Sequence, residues 1–585
     1  MKNKIKKAPL HNSSLENIRH SLAHLLASAV LKIFPKAKLG IGPVIESGFY
    51  YDFLLPRPIS DNELAKIEEL MRQEIKQDLE FRGKSVTANN AKKTFKDQPF
   101  KLDLIKEFSK EKKNLTLYQS GNFIDLCRGG HVSNTKEINP EAFKLIKIAG
   151  AYWRGDEKNP QLTRIYGAAF ENKNELDEYV ARMKKAEESD HRKLGEELDL
   201  FMMDEDIGRG LPLWLPNGFT VRKILEDYMF ELERAQNYKH VFTPHIAKEA
   251  IYKKSGHLSH YKDDMYSPLI IDDEKYYLKP MNCPHHHVIY RRSKKSYREL
   301  PLRLAEFGTV YRYERSGVLS GLMRTRNFTQ NDAHIYLTPN HLETELTKIL
   351  EMHKNVYTEF EMENYWYRLS LPDFKKKEKF GDIKNKKMWA AGEKALRGAL
   401  ANNGLDFVEG LGEASFYGPK IDIQVKNLYG REETIATVQV DFYSAGKFDL
   451  NYVDASGKEV PVVIIHRAIL GSFDRFFAFL LENTGGRLPF WLSPVQVKIL
   501  AVNDKVLEYA KEIEEYLLEK NIRVGLDLRN ETVGKKIREG ELQKIPYLFV
   551  IGEKEVVAKK IAVRERGKGD LGLKTIEEFF ELSKI

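Results

Sequence analysis

The stretch Leu304–Tyr336, LAEFGTVYRYERSGVLSGLMRTRNFTQNDAHIY, constrains the fold of this 585-residue chain more than any other. It reads as two strands joined by a loop. Period-2 alternation sets Val310, Arg312 and Glu314 on one face of the first strand, and Phe328, Gln330, Asp332 and His334 on one face of the second. Gln, Asp and His in succession have no place in a packed core, where each would cost on the order of several kcal/mol unless partnered. That face is expected to line a cleft. Between the strands, Ser316-Gly317 and Ser320-Gly321 loosen the backbone, while Arg312, Arg315, Arg324 and Arg326 crowd one turn against Glu314. Guanidinium forks in that number suit phosphate oxygens. A solvated arginine-rich hairpin is the other reading that composition allows.

The run Gly321–His334 resembles the second signature motif of class II aminoacyl-tRNA synthetases, and in detail the GLMR-R-FTQ-DAH run of the threonyl-tRNA synthetase family. The resemblance extends through further motif blocks, in order, over nearly the whole chain. It implies an α+β multidomain protein. Residues 1–170 would form an N-terminal α+β editing domain, 171–200 a linker helix, 201–490 a class II catalytic core on an antiparallel sheet, and 491–585 a C-terminal α/β anticodon-binding domain.

Length and charge agree with this. At 585 residues about four domains are expected. The balance of 94 basic to 85 acidic residues gives +9, a mild bias that suits a polyanionic partner and is also ordinary in lysine-rich proteins. The basic start MKNKIKKAPLHNSS has no apolar run behind it, and no stretch of about 18 apolar residues occurs. A cytoplasmic location without membrane attachment is expected. The two cysteines, Cys127 and Cys283, exclude a disulfide framework and fit a reducing compartment.

SLENIRHSLAHLLASAVLKIF has apolar residues at helical spacing, with Ser14 and Glu16 near its start, and sets His20 and His24 one turn apart. The alternating GFYYDFLL follows, and much later comes Asp125-Leu126-Cys127-Arg128-Gly129-Gly130-His131. An HxxxH pair plus a CxxxH pair has zinc-ligand chemistry, though two histidines on a helix are as readily surface or satisfied core residues. Ser21 stands where an HExxH helix needs glutamate, which excludes a zincin. With GAYWRGD at Gly150–Asp156, the segment resembles the editing domain of bacterial threonyl-tRNA synthetases. The resemblance implies that His20, His24, Cys127 and His131 surround the acceptor end of misacylated tRNA. Lys101 and Asp125 would be polar partners, and Ser-tRNA(Thr) would be hydrolysed through bound water. The small ubiquitin-like domain with which many family members begin is expected to be missing.

Glu171–Leu200 is strongly charged and is expected to form an exposed linker helix. After LPLWLPNG, an amphipathic helix is predicted over Val221–Tyr238 and a strand over VFTPHIA. In class II synthetases a helix-strand pair with a proline, here Pro244, forms the dimer interface; an ordinary core helix is the alternative. KPMNCPHH brings the second cysteine. Cys283, His334 and His466 are too scattered to form a metal spacing, and a lone cysteine is commonly a small buried hydrophobe. Only the resemblance joins them, implying one zinc ion per subunit with an open fourth position. FYGPKID supplies Tyr417 and Lys420, and TVQ supplies Gln439; a glutamine that often precedes this run in the family is Thr434 here. PVVIIHRAILGSFDRFFAFLLEN is read as a strand, a glycine turn and an apolar helix with Arg475 among phenylalanines. The matching class II arginine holds the ATP γ-phosphate, and a salt bridge to Asp474 or another carboxylate is the competing reading.

The resemblance further implies ATP bound with Mg²⁺: Arg312 on the α-phosphate, Arg324 and Arg475 near the γ-phosphate, Glu314 on the adenine amino group, Phe328 on the ring, and Gln439 nearby. Threonine would meet Gln330, Asp332, Tyr417 and Gln439, and Arg312, Lys420 and Arg475 would be catalytic. After Pro494, VQVKILAV, KVLEYAKEIEEYLLEK, IRVGLDL, a helix, YLFVIG, KKIAVRE and a last helix alternate as in a small α/β domain. It resembles the anticodon-binding domain of several class II synthetases, which implies Asn530, Arg538, Glu555 and Arg564 at anticodon bases. A flavodoxin-like nucleotide site is the rival, but no glycine-rich loop follows the first strand. The expectation is a homodimer that ligates L-threonine to tRNA(Thr) through threonyl-adenylate. A non-catalytic, synthetase-like RNA-binding regulator would not need the phosphate-binding arginines. Prolyl or seryl activation on the same core would not use Cys283, His334 and His466.

Overall fold

The computed structural model describes residues 13–111, 113–375, 380 and 386–583; the basic start, residues 1–12, lies outside them. The chain divides into two compact units, Met1–Lys184 and Lys185–Ile585.

In the first unit the helix Ser13–Ile33 buries Leu22, Ala23, Leu25, Leu26, Ala29 and Val30, the residues that recur at helical spacing. Helix Asp61–Lys76 packs beside it. Both lie against an antiparallel sheet ordered Lys38–Leu39, Gly48–Leu54, Gln161–Ala169, Phe143–Tyr152. Phe49, Tyr51 and Phe53, alternate residues of GFYYDFLL, enter the shared core. A second antiparallel sheet of Phe81–Val86, Leu115–Ser120 and Phe123–Leu126 carries Asp125 and delivers the chain to Cys127.

The second unit is built on an eight-stranded sheet, in the order Lys239–His240, Leu302–Tyr311, Asn327–Leu337, Val463–Ser472, Glu432–Asp441, Lys420–Lys426, Tyr365–Leu371, Phe407–Leu411. Only the two edge strands run parallel to their neighbours. Ala333, Ile335, Leu337, Val438, Val440 and Ile465 pack with Leu342–Glu359, Lys386–Asn402 and Phe473–Thr484 in the main core. Because strand side chains alternate, His334, Gln439 and His466 face the other way. Pairing thus leaves one face of the sheet to the core and gathers these polar residues on the other.

Some expected elements shift. The helix predicted over Val221–Tyr238 runs Pro216–Ala235: Pro216 sits in the first turn, where a missing N–H costs nothing, and the chain leaves through Asn237 at φ 61°. VFTPHIA is extended in a strand only from Ile246, because Thr243 N–H goes to Glu306 Oε1 at 2.8 Å and Pro244 has no N–H for a ladder. Residues 171–200 form two helices, Lys173–Glu188 and His191–Glu197, and the second buries His191 and Leu194. The C-terminal sheet is ordered Val524–Asp527, Val497–Ala501, Tyr547–Ile551, Ile561–Glu565, Gly569–Lys574, with the first three strands parallel. Its last strand was not expected, since Gly569 and Gly572 interrupt the apolar pattern. Among the described residues no helix is long and apolar enough to cross a membrane.

Candidate functional site

Register across the large sheet assembles residues far apart in sequence. Leu304, His334, His466, Gln439, Lys420 and Ser370 stand opposite one another on adjacent strands. Opposed residues share a face. Two residues along, Glu306, Asp332, Ala468, Thr437, Asp422 and Arg368 form the next row. Gln330 and Phe328 continue this face outward.

The outer end is a cleft of about 220 Å³ lined by Arg312, Glu314, Arg324, Phe328, Gln330 and Arg475, with Thr434, Thr437 and Gln439 also in its lining. Arg312 Nε donates to the Pro280 carbonyl at 3.2 Å, and its guanidinium lies 5.1 Å from the centre of the Phe328 ring. Arg324 Nε donates to Glu314 Oε2 at 3.0 Å. Arg475 donates to the carbonyls of Met323 and Thr434, each at 2.9 Å. Burial lowers its pKa from the ordinary guanidinium value. Asp474 does not pair with it: that carboxylate accepts from Thr329 N–H at 2.9 Å and faces Arg222 at 3.7 Å. A guanidinium held by neutral carbonyls beside an open cleft keeps its charge for an anionic ligand. Lys420 stands in the row opposite Gln439 but lies outside the cleft lining, with Nζ 2.7 Å from Asp422 Oδ1.

Deeper on the same face, a ligand atom from each of Cys283, His334 and His466 lies within 4.8 Å of the others, and all three residues are buried. His466 Nε2 lies 2.9 Å from Asp441 Oδ2, and His334 Nδ1 lies 2.9 Å from His286 Nδ1. His286 Nε2 in turn lies 3.0 Å from Glu306 Oε2. Each of the two rings keeps its second nitrogen for an ion. Burial, followed by the Asp332 and Asp441 carboxylates, pushes the Cys283 thiol well above its ordinary pKa, so thiolate formation there calls for a cation in direct contact. A nitrogen and sulfur donor set with carboxylate-backed imidazoles fits a zinc-type ion with a fourth position open. Asp332 Oδ2 accepts from Asn282 Nδ2 at 3.0 Å. Tyr417 stacks on His466 at 5.0 Å and donates to Gln439 Oε1.

The sequence reading missed Asn282, His286, Glu306 and Asp441. Two of them were within reach of the alternation rule, since Asp441 shares the face of Gln439 and Glu306 that of Leu304. Asn282 left a fainter trace at Gly308, where a Cβ would come within 2.4 Å of the Asn282 amide.

In the first unit His20, His24, Cys127 and His131 gather with ligand atoms within 4.8 Å. Cys127 Sγ lies 3.3 Å from His20 Nε2 and from His131 Nε2, and His131 Nδ1 lies 3.2 Å from Ser21 Oγ. Asp125 Oδ1 meets Lys101 Nζ at 2.5 Å, while Oδ2 accepts from Tyr51 OH at 2.6 Å and lies 4.0 Å from His24 Nε2. Burial holds His131 down at about 2 and pushes the Cys127 thiol up to about 11. The cluster therefore combines a protonated thiol with neutral imidazoles, which argues against attack by sulfur. The same donors retain the metal-ligand chemistry that their spacing left open. Tyr51 and Phe81, the latter stacked on His131 at 4.8 Å, touch the cluster and were not singled out by the sequence, which noted Ser21 only as the residue that excludes a zincin.

The four residues assigned to the anticodon lie on different elements of the C-terminal domain. Arg564 lines a pocket of about 600 Å³ with Glu541, Lys544 and Arg566. Asn530 and Arg538 are exposed beyond the strand Val524–Asp527. Glu555 accepts from the Gly552 N–H at 2.8 Å, capping its own helix beyond the end of Tyr547–Ile551, whereas Arg564 pairs with Leu548 near the start of that strand.

Three family descriptions match the chain. The tRNA synthetase class II core domain (G, H, P, S and T) matches residues 266–484, an anticodon binding domain residues 496–584, and the threonyl and alanyl tRNA synthetase second additional domain residues 115–166. A threonine-tRNA ligase of Staphylococcus carnosus (strain TM300) is 46% identical over 573 residues, covering 98% of this chain and 88% of that protein. The threonine-tRNA ligase of Oceanobacillus iheyensis is 44% identical over 577 residues, with 98% and 88% covered. Among solved structures, the RNA binding domain of threonyl-tRNA synthetase from Cryptosporidium parvum Iowa II is similar with a TM-score of 0.63 at 38% identity, covering 68% of this chain and 98% of that one.

Proposed function

The chain belongs to the threonine-tRNA ligase family, and from that premise we propose that it joins L-threonine to tRNA(Thr) at the expense of ATP and edits Ser-tRNA(Thr). The observation that carries the reading is the convergence of Arg312, Arg324 and Arg475 on one cleft, on the sheet face that also bears His334 and His466. The threonine carboxylate attacks the α-phosphorus of ATP, the bond to pyrophosphate breaks, and the tRNA acceptor hydroxyl then displaces AMP from the adenylate. Charge neutralisation and positioning supply most of the rate. Arg312 holds the α-phosphate, Arg324 and Arg475 the γ-phosphate, Phe328 and Glu314 the adenine, and Gln439 lies beside them. Binding would open the Arg324–Glu314 pair, so that each meets its own portion of the nucleotide. Lys420 is retained as a catalytic candidate, provided that it exchanges Asp422 for substrate.

Gln330, Asp332, Tyr417 and Gln439 hold threonine. Cys283, His334 and His466 would hold one zinc ion per subunit, which would supply a Lewis acid for the amino group and hydroxyl of threonine, and Mg²⁺ would accompany ATP. Exchange of pyrophosphate into ATP should be driven by threonine and far more weakly by serine. Absence of exchange with every amino acid would favour the non-catalytic RNA-binding regulator. Exchange with proline in place of threonine would move the specificity elsewhere.

Residues 1–170 are proposed as the editing domain, 171–200 as the linker, 201–490 as the catalytic domain and 491–585 as the anticodon-binding domain. Serine differs from threonine by a methyl group, worth about 1–3 kcal/mol or roughly 10 to 200-fold. That is too little for translation, so serine must be removed after transfer. His20→Ala and Cys127→Ala should leave threonylation nearly intact while Ser-tRNA(Thr) accumulates, read as deacylation of purified Ser-tRNA(Thr). Parental deacylation by the double variant would reduce the histidines to structural residues.

Asn530, Arg538, Glu555 and Arg564 are assigned to the anticodon, and replacing them should impair aminoacylation without touching pyrophosphate exchange. A homodimer is supported by Phe219, Phe230 and Phe242, which are 56%, 39% and 82% exposed on and beside the helix Pro216–Ala235. Sedimentation as a monomer at micromolar concentration would contradict it. A cytoplasmic location fits two cysteines that form no disulfide and each stand beside histidines.

A further inference from the structure

The second helix of the charged stretch 171–200 does more than connect domains. His191 is 2% exposed, and both of its ring nitrogens are engaged. Nδ1 lies 2.7 Å from Glu482 Oε1, on the helix that carries Arg475, and Nε2 accepts from the Leu322 backbone N–H at 3.1 Å, on the arginine-rich loop. Since a backbone N–H only donates, the ring proton resides on Nδ1 and is given to Glu482. Asp190, His191 and Glu482 have the chemistry of a metal site, but no ring nitrogen remains to bind an ion. Asp190 is itself taken by Arg192 at 2.6 Å and accepts from Tyr429 OH at 3.2 Å, in the turn before the strand that bears Thr434, Thr437 and Gln439.

The approach of loop and linker is close. Gly321 has φ 49°, and a Cβ there would lie 2.2 Å from His191 Nε2 and 2.6 Å from Arg192 Cγ. Beyond Leu322, the Met323 carbonyl accepts from Arg475 Nε at 2.9 Å. Leu322 and Met323 both line the cleft. The loop backbone is therefore held through an N–H by His191 and through a C=O by Arg475. Both holders trace to one helix, since Glu482 anchors the imidazole two turns after Arg475.

We propose that His191 is a positioning residue of the ATP cleft. Anchored by Glu482, it fixes Leu322–Met323 so that Arg324 and Arg475 keep the spacing that a nucleoside triphosphate requires. A loop loosened by Gly317 and Gly321 would otherwise have to be ordered at the cost of binding. The proposal rests on reading the cleft as the ATP site.

Pyrophosphate exchange by the full chain, varied separately in ATP and in threonine, tests it. His191→Asn keeps an N–H for Glu482 but is too short to accept from Leu322, whereas His191→Gln can place Oε1 where Nε2 stands. His191→Asn should lower kcat/KM for ATP about ten- to hundredfold, the cost of a small misplacement at a reacting centre, with KM for threonine unchanged. His191→Gln should recover most of the loss. Gly321→Ala, which pushes on the same contact from the loop, should give the same ATP-specific defect and serves if His191→Asn does not fold. Parental kcat/KM for ATP in His191→Asn and Gly321→Ala would overturn the proposal. So would equal losses toward ATP and threonine in both His191 variants in step with a lowered Tm, as a purely structural role predicts. No exchange by the parent chain would overturn the ATP reading itself.

Discussion

Cys283→Ser should leave the chain without its zinc ion and without threonine activation, while the parent should carry one zinc per chain. The Cys283 thiol is buried among the Asp332 and Asp441 carboxylates, and ionising it there requires a bound cation. Removing that ligand leaves His334 and His466, too few to retain the ion. The loss should be large because the ion would recognise the hydroxyl that distinguishes threonine from valine. A site built to bind a hydroxyl rejects the analogue lacking it by roughly 10⁴ to 10⁵-fold. Stripped of the ion, the pocket should treat threonine much as the parent treats valine. Elemental analysis is the readout independent of activity. Cys127→Ala should keep its zinc, and full occupancy in Cys283→Ser would refute the assignment.

Arg312→Ala should lower adenylate formation by at least about two orders of magnitude, the usual cost of deleting one preorganised donor aimed at developing charge. Arg312 is preorganised by the Pro280 carbonyl and by the Phe328 ring, which leaves its remaining N–H groups for phosphate. Arg324 already pairs with Glu314 in the open cleft. Its replacement should therefore cost less, since some of its binding energy goes into breaking that pair. A single-turnover rate for Arg312→Ala equal to the parent would remove it from the chemistry and leave Arg475 as the principal cation.

The sequence reached furthest where the rules are local. Alternation over Phe328–His334 assigned a polar strand face before any partner strand was known, and helical spacing located Ser13–Ile33 with His20 and His24 one turn apart. The domain at the C-terminus was legible as alternating strand and helix, because each element declares itself within a few residues. For the Cys283, His334 and His466 set, local rules were silent: only family resemblance joined residues that no spacing connects.

Tertiary structure decided which residues meet. His334, His466 and Gln439 become neighbours because three strands pair in one register, and a slip of one residue would have sent each side chain to the opposite face. Buried polar partners were equally hidden. His286, Glu306 and Asp441 are placed by the need of desolvated groups for hydrogen bonds, which here acts between residues 20 to 48 positions apart in sequence as readily as it does within one turn. His191 shows this most clearly. In the sequence it is one residue of a charged spacer, and only the packing of its helix against Leu322 and Glu482 brings it to the cleft.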